Sequence, residues 1–465
     1  MKTPINHFTE VEDLGNGQKK MTLLSYPKYY DNGGQWDLVD TAIQPSTDTG
    51  WNYEVKKGVY KLRIKVDGTF EFAYKGDILS KKILGVGFYN TDTKERIIKT
   101  NLILSTPTVS GNEISWSLPL GCIYKVVYYH DTLKDIFILS EQAKTYLKNN
   151  KPVGWNAENT YFGIIYDLDL SQTALSTSAD IESSDDIKFV KDGKWQYRFR
   201  RGYARLDTYD ETKSGEENAG KAWLKLKAYK NGKYTEIISA EALTSSGEII
   251  LNDTLNLTTS SKDIYLDSNN DWPHTGYELN VSGESNRSLV AFDLSGLPAG
   301  CTVTDASLGV YATYTDNGGN QAVNAYRVWK EWVEVSDWSQ WDHDNSKEWG
   351  TAGCNSTNDS GSYNTTDGGG DDRKATEDDG FASTSTGWWT WEGSSMAATV
   401  QSNFDNSKYE GWVLIKPTAG YGINFASKEN ADEAKRPKLN ITYTSGQPPV
   451  VTGIMTTNTK FWGAL

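Results

Sequence analysis

Apolar and polar residues alternate along much of this chain with a period of two. Tyr60, Leu62, Ile64 and Val66 take one phase, and Lys61, Arg63, Lys65 and Asp67 take the other, as in a strand with one buried face. Asp67-Gly68 turns the chain into Phe70, Phe72 and Tyr74. Comparable hairpins are predicted at Asp192-Gly193 before Trp195, Tyr197 and Phe199, and at Asn231-Gly232 before Tyr234. Such Asx-Gly pairs supply the left-handed backbone that tight hairpins need. Later rows, Val290/Phe292/Leu294, Ala306/Leu308/Val310/Ala312 and Leu439/Ile441/Tyr443, read as core-facing positions of a sandwich. Helical signal is scarce: its best stretch, Ser140 to Lys148, is short and reads as a loop or a single turn. The expected fold class is all-β, with tandem β-sandwich domains.

A chain of 465 residues exceeds what one hydrophobic core usually serves. Breaks at Lys151-Pro152 and across Asn252 to Lys262 suggest β-domains over 1–150, 151–255 and 256–445, the first two sharing a core if not separate. A tail, 446–465, follows. Within the third region, Asp342 to Thr386 is so rich in Gly, Asn, Asp, Ser and Thr that it reads as surface loop, ordered only in part. Composition supports strands and turns, with 12% aromatic residues and 42 Gly. A net charge of −14 would repel phosphates and argues against nucleic acid as a partner. No apolar run is long enough for a membrane helix. The first residues, Met1 to Asp13, do not resemble a secretory signal, which fits a virion component released by lysis, although a trimmed chain would look the same. Cys122, Cys301 and Cys354 lack disulfide or metal spacing and read as buried small hydrophobes.

Four motifs give the third region a family resemblance. They are Arg287 to Pro298 (RSLVAFDLSGLP), Asp305 to Tyr311 (DASLGVY), Tyr326-Arg327-Val328 leading to Trp332, and Arg436 to Tyr443 (RPKLNITY). In this order they resemble a disaggregatase-related repeat (DNRLRE) domain, which implies a jelly-roll β-sandwich related to alginate-binding carbohydrate modules. Trp349 to Gly353 (WGTAG) and Gly411 to Leu414 (GWVL) extend the match. Tyr29 to Thr41 is similar, more loosely, to the region preceding such domains in phage virion proteins and large wall-associated bacterial proteins. The resemblance implies a virion structural protein, such as a head fibre, tail fibre or capsid-attached protein, at the virion surface or otherwise extracellular. Its implied partners are other virion or surface proteins, a host or environmental polysaccharide, and a second copy of this chain.

Eight tryptophans fall between Trp329 and Trp391. Trp329 and Trp332 read as core. Trp338, Trp341, Trp388 and Trp389 flank the polar insertion and are the candidates for stacking on sugar faces. Asp267, Asn269, Asp271 and Glu278 approach the ligand spacing of a calcium loop, but Trp272 stands where that loop needs Gly. No cofactor is required by this reading, and Ca²⁺ is the one metal it admits, here or at Glu377-Asp378-Asp379 with Asp371 and Asp372. Arg198 and Arg200, near Arg201 and Arg205, share a strand face and are candidates for docking an acidic neighbour, against the plainer reading of a solvated sheet face. In the tail, Ile454, Met455, Phe461 and Trp462 are too apolar for a free end and are expected to dock on a neighbouring domain or protomer.

The four histidines sit in no HExxH, and no nucleophile elbow or P-loop occurs. The chain is therefore expected to bind rather than to catalyse. Two alternatives stay open: a secreted or cell-surface bacterial glycan-binding protein, and an extracellular polysaccharide depolymerase.

Overall fold

The computed structural model describes residues 2–445 apart from 102–104, 157, 171–179, 185, 192–193, 201, 210–219, 258–260, 275–277, 284, 316–320, 335, 344, 419–421 and 431. The fold is all-β, built from antiparallel sheets packed as sandwiches. The chain divides into two compact units.

The first unit comprises Tyr26–Thr259 with Asn6–Phe8. It contains a ten-stranded and a nine-stranded sheet. In the former, the long strand Asp77–Asn90 pairs with Phe70–Tyr74 on one side and Thr160–Asp169 on the other. In the latter, Glu113–Ser117, Ile123–Tyr128, Thr132–Leu139 and Ile249–Leu257 run side by side. Leu62, Phe72, Leu79 and Phe162 from one sheet meet Ile114, Trp116, Tyr124, Phe137 and Leu251 from the other in one core. This core runs past both residue 150 and residue 151, so no domain boundary falls there. The Asn231-Gly232 hairpin forms as its sequence dictates. Both residues take positive φ, 51° and 72°, between the paired strands Leu226–Lys230 and Lys233–Ser239.

The segment from Ser140 is a helix, Glu141–Asn149, and not a loop. Ser140 caps it by accepting from the Ala143 N–H at 3.1 Å. Ala143 and Leu147 are buried, and Lys144 Nζ donates to the Ser245 carbonyl at 2.7 Å. Anchoring of this kind outweighs the weak propensity of a short isolated segment.

The second unit comprises residues from 260 onward with Met1–Ile5 and Thr9–Ser25. The N-terminal strands thus belong with the C-terminal sandwich: Gln18–Leu24 lies beside Lys438–Thr444 in full register. One sheet continues from Lys438–Thr444 through Thr302–Thr315 to Ile423–Ala426 and Glu278–Val281, with Gly387–Glu392 also paired to Thr302–Thr315. The other runs Asn270–His274, Ser261–Asp267, Asn286–Phe292, Trp412–Ile415, Gln321–Arg327, Asp379–Ser383. Within Asn286–Phe292, the stretch Leu289 to Phe292 is apolar and buried on both phases. Val290 and Phe292 face the core between the sheets, whereas Leu289 and Ala291 join a second core.

That second core explains why the polar insertion is folded. Trp332, Trp341, Trp349 and Cys354 pack on Leu289, Val413 and Ile264. Asp372, buried, accepts backbone N–H bonds from Gly350, Thr351 and Ser356 at 2.8 to 2.9 Å. Lys330, also buried, donates to Asn364 Oδ1 and to the carbonyls of Thr366 and Gly369 at 2.6 to 2.9 Å. Composition predicted a loop because its apolar anchors are few; those few, with two buried charges, organise the rest. The unit also holds a helix, Ser394–Asp405, that the apolar pattern did not predict.

Candidate functional site

Consecutive residues on a strand point to opposite faces, and this separates the tryptophan candidates. In Gly387–Glu392, Trp389 and Trp391 are buried between the sheets, while Trp388 points outward and stays half-buried. Trp341 is buried beneath the insertion. Trp338 is partly buried against that same core, with the Arg287 guanidinium 5.2 Å from its ring centre. Trp389 and Trp341 are therefore core residues rather than stacking surfaces, which leaves the half-buried Trp338, packed against the second core, and Trp388, on the outward face of its sheet.

Trp388 has company that the sequence reading missed. Its register partner is Tyr311, set edge-on with ring centres 5.6 Å apart and planes at 90°. Lys438 Nζ lies 3.7 Å from the Trp388 ring centre and Lys435 Nζ 5.4 Å from that of Tyr311. Between them Gly309 leaves the floor open: a Cβ there would meet Lys438 Cε at 3.3 Å and Trp388 Cε3 at 3.4 Å. Beside the rings runs a polar ladder in which Thr22 Oγ1 donates to Asn440 Oδ1 at 3.0 Å and Asn440 Nδ2 donates to Ser307 Oγ at 3.2 Å. Burial, and then the ammonium groups of Lys2 and Lys20, lower the pKa of Lys438. Lys438 thus shares this face with the ammonium groups of Lys2 and Lys20, while Lys435 is paired with Asp432 at 3.0 Å and Lys2 with Glu10 at 3.0 Å. The available signal was the row Ala306/Leu308/Val310/Ala312: if these point inward, Tyr311 must point outward.

Of the calcium-loop residues, Asp267 and Glu278 are each engaged by protein donors. Asp267, at the end of Ser261–Asp267, closes an Asx turn on the Asn269 N–H at 2.9 Å. Glu278 starts a strand of the other sheet, where it accepts from Thr313 Oγ1 at 3.0 Å and Asn424 Nδ2 at 2.7 Å. The Asp271 side chain is outside the described residues. In the acidic run, Asp378 is buried and accepts from Trp412 Nε1 at 3.0 Å and from Lys374 Nζ at 3.1 Å. These partners take up the carboxylate that a cation would use.

Arg198 and Arg200 are not a solvated face. Both are buried, and Arg198 pairs with Asp186 at 2.8 Å. Strands covered on both sides defeat the rule that the polar phase faces water. Ile454, Met455, Phe461 and Trp462 lie outside the described residues.

Two carboxylate triads occur among the described residues: Asp135, Glu236 and Asp253, and Asp263, Glu334 and Glu429. In the second, burial pushes Asp263 well above the carboxylate range. Lys428 answers that group, with its Nζ 2.9 Å from Glu334 and its N–H donating to Asp263 Oδ2 at 2.6 Å.

No family model and no curated protein matches the chain. Among solved structures, the N-terminal domain of the Streptococcus gordonii adhesin Sgo0707 aligns over 96% of this chain and 97% of that one, at 8% identity and a TM-score of 0.14. That similarity is too slight to carry fold or function across.

Proposed function

We propose that this chain is a binding and structural protein, a surface component of a tailed-phage virion, whose C-terminal sandwich takes an acidic polysaccharide on the Trp388–Tyr311 face. The observation that carries the binding role is that face itself: an edge-to-face aromatic pair flanked by Lys435 and Lys438. Aromatic rings stack on sugar C–H faces, and the ammonium groups would meet uronate carboxylates. The virion assignment is supported by the DNRLRE-like motifs and the Tyr29–Thr41 element. Binding rather than turnover is favoured because both carboxylate triads are largely withdrawn from solvent and answered by lysines.

Affinity electrophoresis of the full chain in gels containing alginate, against gels with a neutral glucan, tests the binding role. Retardation by alginate alone, lost in Trp388→Ala, is the expected result. Equal mobility in both gels would remove the reading. Mass spectrometry of purified particles tests the virion assignment.

A further inference from the structure

Three strands of the Tyr26–Thr259 unit carry a charge where their alternation calls for an apolar residue. Lys81 lies between the inward Leu79 and Ile83, Asp135 between Leu133 and Phe137, and Asp253 between Leu251 and Leu255. Lys81 belongs to the ten-stranded sheet. Asp135 and Asp253 are direct register partners in the nine-stranded sheet.

The three meet between the sheets. Lys81 Nζ is 2.7 Å from Asp135 Oδ2 and 2.7 Å from Asp253 Oδ2. Glu236 completes the triad and is paired with Lys225 at 2.5 Å. Rings wall the amine: Tyr166, Tyr234 and Phe199 have their centres 3.9, 4.8 and 5.1 Å from Nζ. Asp135 Oδ1 is buried with no hydrogen-bond partner among the described residues. A buried ion pair is a poor way to stabilise a core, since desolvation consumes most of the Coulombic gain. Nor do the triad's carboxylates enclose room for a cation, because the Lys81 ammonium already bridges two of them.

We propose that Lys81 and Asp135 condense after folding into an intramolecular amide that ties the two sheets together covalently. Lys81 Nζ, once neutral, attacks Asp135 Cγ. The C–N bond forms, the C–OH bond breaks, and one water leaves. Of the three ammonium protons, one stays on the amide nitrogen, one departs with the hydroxyl as water, and one ends on Asp253. The ion pair and a carboxylic acid thereby become an amide, a neutral acid and water, with no oxidant or other co-reactant. The fold supplies the proximity that makes such a step effectively unimolecular, and Asp253 supplies the base.

The electrostatics assign the roles. Burial, against the pull of Lys81, pushes Asp135 up to about 6, so of the two carboxyls that touch Lys81 it is the one that more readily holds the proton condensation requires. Burial acts on Asp253 too, but Lys81 and Lys225 outweigh it and hold that group below its ordinary range, as the base. Burial would strip Lys81 of its proton, yet Asp135, Asp253 and Glu236 outweigh it. The amine must therefore be discharged inside the site.

The test is the mass of the full chain. Denatured wild-type protein is expected to be lighter than its sequence by one water, and its tryptic digest to contain one branched peptide joining Lys81 to Asp135. Lys81→Arg and Asp135→Ala are expected to restore the sequence mass. In Asp253→Asn, which keeps both reacting groups, the light form should accumulate more slowly or not at all. Wild-type protein at its full sequence mass, with separate Lys81 and Asp135 peptides, would overturn the proposal whether or not any variant folds. A branch from Lys81 to Asp253 would overturn the assignment of roles. The outcome is independent of glycan binding.

Discussion

Lys330 Nζ and Asp372 Oδ1 lie 3.8 Å apart with both side chains fully withdrawn from solvent. Each also anchors a different stretch of the insertion, Lys330 through Asn364, Thr366 and Gly369, and Asp372 through Gly350, Thr351 and Ser356. Removing one member leaves the other buried without its counter-ion, at a cost of about 3–5 kcal/mol. Asp372→Ala should therefore lower the unfolding free energy of this unit by that order and open the segment around Gly368 to proteases. Denaturant titration with limited proteolysis checks both. An Asp372→Ala variant as stable and as resistant as wild type would contradict the anchoring role.

The three thiols are expected to be inert in the native protein. Cys122, Cys301 and Cys354 are all buried, and burial raises the pKa of each. The thiolate is the reactive form, so little of it exists at neutral pH. A chromogenic disulfide reagent should find no thiol before unfolding and all three after it. Labelling of the folded chain at Cys354 would mean that the insertion opens readily.

How far the sequence could be read follows from how strands are covered. Where one face meets water, alternation located most of the rows: Leu62 and Ile64, Leu308 and Val310, Ile441 and Tyr443 are all buried, but Val66, expected in the first row, lies beyond the strand Lys61–Ile64 and is exposed. Where both faces are covered, the polar phase ceased to mean exposure, and Arg198 was misplaced for that reason. Trp388 and Trp389 differ by one position and by everything in environment, which only the phase of Gly387–Glu392 could have told. The Lys81 cluster had a signal that went unread, a charge at an inward phase on each of three strands. A pattern search scores such residues as noise, whereas a search for charged residues flanked by inward apolar ones would have found them.

Stability of the Tyr26–Thr259 unit should fall as pH rises through the weakly acidic range. Burial, against the pull of Lys225, pushes Glu236 from 4.5 up to about 7. Between those values the folded protein holds a proton that the unfolded chain has released. The native state therefore binds more protons, and raising the pH favours unfolding. Asp135, wherever it is not condensed with Lys81, acts in the same direction from 3.8 to about 6. Asp253, held low, works the other way, but only below its ordinary 3.8. Thermal melting across pH 4.5 to about 7 should show the decline, and Glu236→Gln, which cannot ionise, should flatten it. A wild-type melting temperature that climbs steadily through this window would refute the assignment.

Lys438 and Trp388 should contribute to glycan binding by different physics, and salt separates them. Trp388 offers a flat apolar surface, whose contact with a sugar ring ionic strength hardly touches. Lys438 offers a charge on a half-buried stem, and its attraction to a carboxylate is screened over about 10 Å at 0.1 M salt. Trp388→Ala is expected to weaken alginate binding by roughly ten-fold, equivalent to about 1.4 kcal/mol, and to do so similarly at low and high salt. Lys438→Gln should weaken it mainly at low salt and flatten the salt dependence of the wild type. It should leave any residual affinity for a neutral glucan unchanged. Calorimetric titration of both variants at two ionic strengths provides the comparison. Were Lys438→Gln to keep the wild-type salt slope, the basic character of this face would have no part in recognition, and the acidic ligand class would have to be abandoned even if Trp388 proved essential.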